Sequence, residues 1–103
     1  MKNYVYIYYN NGVREGLSPE VSQTEWGTWF GKLGDKLVDA GNPFNEGGKA
    51  VEKTGVSTIE NWPATGYSIV KANSLDEAAE WAKDCPVLME PDGAVRVYET
   101  MPM

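Results

Sequence analysis

Tyr4, Tyr6 and Tyr8 recur at every second position near one end of the chain, and Arg96 and Tyr98 alternate near the other. They stand out because the chain has no histidine and one cysteine. A phenol donates and accepts hydrogen bonds, a guanidinium pairs with anions or stacks on rings, and a nearby cation lowers a phenol's pKa. If both strands send these side chains to one sheet face, Tyr6, Tyr8, Arg96 and Tyr98 become candidate ligand-binding residues for an anionic or aromatic small molecule. Tyr6, Tyr8 or Tyr98 beside Arg96 is also the acid–base candidate. The same side chains suit a homodimer interface, where tyrosine and arginine are common anchors. The two readings are compatible.

Other constellations carry less chemistry. Cys85 falls on the apolar side of a helix's last turn, where the dipole disfavours thiolate, so it reads as a buried structural thiol. No histidine and one cysteine leave only carboxylates for metals, so no metal and no cofactor is expected. Asp76, Glu77 and Glu80 read as a solvated helix face. Among Asp35, Asp39, Glu46 and Glu60 nothing in the spacing marks a general acid. Gly47-Gly48-Lys49 lacks the spacing of a phosphate loop and reads as a turn. Aromatic rings on a sheet also suit RNA, but a net charge of −6 argues against nucleic acid and against an anionic membrane surface.

The elements that must position these residues follow from local patterns. Tyr4–Tyr9 reads as a strand stopped by Asn10-Asn11-Gly12. Its alternation is expected to set Val5 and Ile7 against helices and Tyr4, Tyr6 and Tyr8 on the opposite, uncovered face. Ser18-Pro19 opens a helix expected to reach Ala40, with Gly41 as its stop and Trp26, Trp29, Phe30, Leu33 and Leu37 as its apolar stripe. Gly27, Gly31 and Gly34 gather on one flank, which suggests close approach by another backbone or space beside the sheet. Residues 42–65 are punctuated by Asn42-Pro43, Gly47-Gly48 and Trp62-Pro63. Within them 49–54 and 56–59 suggest an edge strand or short hairpin, and Trp62 suggests a cap on the sheet edge.

Tyr67–Ala72 is a strand leading into a helix of about ten residues whose Ser74-Leu75-Asp76-Glu77 has capping-box form. Leu75, Ala78, Ala79, Trp81, Ala82 and Cys85 share its apolar side, and Pro86 closes it. Asp92-Gly93 is a turn before a last strand, 94–99. Two βαβ halves predict a ferredoxin-like α+β domain, βαββαβ, with an antiparallel sheet and both helices on one face.

At 103 residues the chain is expected to be a single domain, 1–103, hiding roughly 65% of its extended area. No stretch approaches the about 18 apolar residues of a membrane span, the first residues lack a signal peptide's apolar core, and one cysteine suits a reducing compartment. A cytoplasmic, soluble protein is the expectation.

The segment Gly66–Pro86, GYSIVKANSLDEAAEWAKDCP, together with LGDKLVDAG at 33–41 and the strand from Val95 to Met101, resembles the YCII-related proteins. Within them it is most similar to the DGPF-domain branch. The resemblance implies a ferredoxin-like fold that dimerises through sheet faces into a dimeric α/β barrel. It implies no catalytic residue here. The His–Asp pair proposed as the active site of the better-studied branch has no histidine counterpart, and the DGPF tetrad is absent before Gly66. Three functions remain open: a small-molecule-binding homodimer, a small carboxylate or tyrosine acid–base enzyme, and a structural or regulatory dimer without ligand.

Overall fold

A computed structural model describes residues 1–10, 19–45, 47–60, 62–90 and 92–102, with side chains from 23 onward in the first helix. The expected Ser18 cap, Asn11-Gly12 and Glu46 lie outside the described residues. Six strands and two α-helices follow in the order β1 (Lys2–Tyr9), α1 (Pro19–Leu33), β2 (Leu37–Asp39), β3 (Lys49–Glu52), β4 (Gly55–Thr58), β5 (Ala64–Ala72), α2 (Leu75–Ala82) and β6 (Ala94–Glu99). Short 3-10 turns at Gly34–Lys36 and Pro86–Met89 complete them. The main sheet is antiparallel, in the order β2-β5-β1-β6. This mixed α+β architecture is compatible with the ferredoxin-like expectation.

The helices cover the tyrosine face, which reverses the expected orientation of β1. Tyr4, Tyr6 and Tyr8 are buried, while Val5, Ile7 and Tyr9 are only half-buried. Residue volume explains the reversal. Ala78 and Ala82 are the buried residues of α2, and beside them Ala72 and Ser68 are fully buried on β5. A floor and roof of such small side chains leave room that Val and Ile would not fill, and rings restore close packing. Every hydroxyl also finds an acceptor, which removes the main cost of burying a phenol. Tyr6 donates to Ala78 O, Tyr8 to Ser68 Oγ at 2.7 Å, and Tyr4 to Glu99 Oε1 at 3.2 Å. Trp29 of α1 seals the layer, its ring 5.7 Å from that of Tyr6.

The first helix is shorter than its sequence suggests. It stops at Leu33 because Gly34, at φ +55°, takes the left-handed conformation just past the end. The following residues become β2, an edge strand on β5. Among the described residues nothing lies near the position a Cβ would take at Gly27 or Gly31, so no described backbone approaches them. Gly41 and Gly93 are the close-packed glycines instead, because a Cβ there would lie 1.8 Å from Tyr67 O and 1.7 Å from Val87 O respectively. On α2 the cap is as expected, with Glu77 N–H donating to Ser74 Oγ at 3.1 Å. The Glu77 carboxylate reaches one residue further back than a capping box requires and accepts from Asn73 N–H. Leu75 and Ala79, expected on the apolar side, are exposed.

The hairpin expected within 42–65 forms as β3–β4, a separate two-stranded sheet with Val51 opposite Val56. These valines are 75% and 67% exposed. Trp62 is also exposed and sits at φ +48°.

Candidate functional site

The four residues expected to form one site are divided by the sheet. In the register, Ile7 faces Arg96 and Val5 faces Tyr98, while Tyr6 faces Val97 and Tyr8 faces Val95. Directly opposed residues share a face, so Arg96 and Tyr98 lie on the uncovered side, with Tyr6 and Tyr8 beneath the helices. Arg96 packs its guanidinium over the ring of Tyr9, 4.8 Å from the centroid, a cation–π contact. The expected pairing of Arg96 with Tyr6 or Tyr8 is therefore corrected. So is its consequence for acidity: burial, with no cation near, pushes both phenols far above the usual range. Neither is poised to give up a proton near neutral pH. Cys85 is buried as expected, and burial pushes its thiol up to about 12.

Beneath the helices, Tyr8 belongs to a different constellation. It forms one wall of a cleft of about 630 Å³ at the end of the sheet. Trp26 and Phe30 of α1 supply further aromatic walls, and the segment 40–43 together with the start of β5 closes another side. The rings brace one another. Trp26 meets Tyr8 edge-on at 4.8 Å and Phe30 at 5.7 Å between centroids. The segment that closes the cleft is tied down by the Phe44 N–H, which donates to Thr65 O at 2.8 Å, and by a bridge between Pro43 and Gly66. Behind the Tyr8 ring, the Ser68 hydroxyl passes the hydrogen bond on to Ala40 O at 2.7 Å, which fixes the ring's tilt.

Polar side chains also line the cleft, namely Asn10, Gln23, Asn42, Thr65 and Glu90. Asn10 is buried and donates through Nδ2 to Glu90 Oε2 at 2.7 Å, and both residues line the space. Glu90 is the sole charged residue among the described lining residues. An apolar, ring-walled concavity with a few convergent polar groups is the usual form of a small-molecule site.

Part of this site had a sequence signal. Asn10 continues the buried register of Tyr4, Tyr6 and Tyr8, and a polar residue at an inward position asks for a partner. The apolar stripe of α1 accounts for Trp29, which is buried, but only for half of what Trp26 and Phe30 do, since these are partly buried and line the cleft. Glu90 follows a 3-10 turn and no periodicity places it. Among the described residues no three His, Cys, Asp or Glu side chains converge as a metal site would require, and no helix is long and apolar enough to cross a membrane. Compared with known proteins, the chain matches no family model and no curated protein.

Proposed function

We propose that this chain is a small-molecule-binding protein whose site is the cleft under α1, not the sheet face. The observation that carries the reading is the conjunction of volume and lining: about 630 Å³ walled by Tyr8, Trp26 and Phe30, within the range that holds a drug-sized molecule. The inward phenols Tyr6 and Tyr8 and the Cys85 thiol are held in their neutral forms by burial, so these groups lend the enzymatic alternative no support. A neutral aromatic probe, 4-phenylbutan-1-ol, tests it by NMR titration. Shifts are expected at the Trp26 indole and at Tyr8, Phe30 and Val87. Shifts confined to Ile7, Arg96 and Tyr98 would return the ligand to the open face and sink the proposal.

A homodimer is the second reading, supported by the surface the helices leave bare. The molecule is a slab whose short axis is 19 Å, about the thickness of one helix layer on one sheet. On its uncovered side Val5, Ile7 and Ile69 are half-buried and Tyr98 is 49% exposed, an apolar strip that neither described helix covers. A second copy applied face to face gives the dimeric α/β barrel that the YCII-related resemblance of residues 66–86 implies, with aliphatic side chains and Tyr98 at its centre in place of Tyr4, Tyr6 and Tyr8. Sedimentation is expected to give twice the mass of 11.4 kDa at micromolar concentration, and Tyr98→Asp to give the monomer. A wild-type monomer would dismiss the dimer and leave the cleft untouched.

A further inference from the structure

The cleft's lining also restricts what chemistry it accepts. We infer that its ligand is an organic cation, an amine or ammonium group carried on an apolar or aromatic body, with the Glu90 carboxylate as counter-charge. This rests on the reading of the cleft as a ligand site, and goes beyond it by fixing the sign of the ligand's charge.

Three observations point the same way. The described lining holds one charged side chain, and it is acidic. The carboxylate is held in place: Asn10, itself buried, donates to Oε2 at 2.7 Å. A carboxylate offers about four acceptor positions and Asn10 uses one of them, so an ammonium N–H can bond without displacing the protein donor. The wall also carries the rings of Tyr8, Trp26 and Phe30, whose π systems attract cations and are indifferent or repulsive to anions, and its other polar side chains, Gln23, Asn42 and Thr65, are neutral. A carboxylate and aromatic rings lining one cleft suit an ammonium group, whereas an anion would meet Glu90 with no described lysine or arginine in the lining to offset it. The protein's net charge of −6 acts in the same sense, drawing cations toward the surface. Arg96, the residue that suggested an anion from sequence, lies on the other side of the sheet.

Three probes that differ in the head group separate the possibilities: 4-phenylbutylamine, 4-phenylbutan-1-ol and 4-phenylbutyrate, each titrated calorimetrically into the full chain at low salt. The amine is expected to bind about tenfold or more tighter than the alcohol, the range that one charge-assisted bond and a cation–π contact supply, and the butyrate weakest. Glu90→Gln keeps an acceptor for Asn10 and is expected to abolish the roughly tenfold preference for the amine over the alcohol, the larger loss falling on the amine. Equal affinity for amine and alcohol, or tighter binding of the butyrate, overturns the cation assignment and leaves the cleft as a site for neutral or acidic ligands. Persistence of the amine preference in Glu90→Gln overturns the role of Glu90 and the assignment with it. If none of the three probes binds, the cleft reading itself fails and carries the cation assignment down.

Discussion

Trp29→Ala is expected to cost about 3–5 kcal/mol, the range for deleting a buried tryptophan, out of a total stability of roughly 5–10 kcal/mol for a domain of this size. Trp29 is 3% exposed, and its ring lies within 6.2 Å of four others, those of Tyr6, Tyr8, Trp26 and Phe30. Its indole N–H donates to Trp81 O at 3.2 Å, which links α1 to the end of α2 through one side chain. Alanine would open a cavity that the rings, each tethered by its own hydroxyl or helix, cannot collapse to fill. Trp29→Phe separates packing from hydrogen bonding: it keeps most of the volume and is expected to lose only about 1–2 kcal/mol, for the lost bond to Trp81 O and the smaller ring. Urea unfolding at fixed protein concentration gives both values. A Trp29→Ala midpoint within a few tenths molar of wild type would mean that Trp29 does not close the core.

Strands β1, β5 and β6 and the second helix were legible because they rest on local chemistry, whereas β2 was hidden inside an expected helix. Ser74 caps, Pro86 stops, and the alternation of β1 and β6 is unmistakable in both burial and sequence. Period two says only that two faces differ, and not which of them is inside. The usual rule assigns aliphatic residues to the core, and here Val5 and Ile7 were the more hydrophobic set. The deciding information was on another element: the buried positions of α2 are Ala78 and Ala82, and small residues on a helix favour large ones opposite. Each phenol also needed a partner, and Ser68 in the middle of β5 was the visible one. Once β1 is turned over, Arg96 parts from the inward tyrosines and the predicted site dissolves. Its successor was half legible through Asn10, the polar residue at the end of an inward register. The glycines misled for a related reason. Gly34 ends α1 by its left-handed backbone, a role that a helical stripe continuing through Leu37 disguised.

Stability is expected to fall steeply as pH rises past about 9–10, and the buried tyrosines and Cys85 fix the direction. Burial raises Tyr4, Tyr6 and Tyr8 above the ordinary phenol value, with the Ser68 hydroxyl offsetting part of the effect at Tyr8, and takes Cys85 to about 12. In the unfolded chain the thiol ionises near about 8.5 and the phenols near about 10. Between those values and the folded ones, the unfolded state has released protons that the native state still holds, so a higher pH favours unfolding. The stabilisation is complete below about pH 8, begins to drain through Cys85, and drains faster once the phenols join. Each fully ionised group contributes a slope of about 1.4 kcal/mol per pH unit, so Cys85, Tyr6 and Tyr8 together approach about 4 kcal/mol per unit near about pH 11. A domain of ordinary stability is therefore expected to unfold between about pH 10.5 and 12, with the buried phenolates appearing in the ultraviolet spectrum only as it does so. Tyr6→Phe makes the assignment specific. It forfeits the bond to Ala78 O and so lowers stability at neutral pH by about 1 kcal/mol. Yet it removes one proton from the linkage, so its urea midpoint must decline less steeply with pH than that of wild type. Phenolate absorbance that rises fully near pH 10 while the fold persists would mean that these hydroxyls are in contact with water, and the inward orientation of β1 would fall with it.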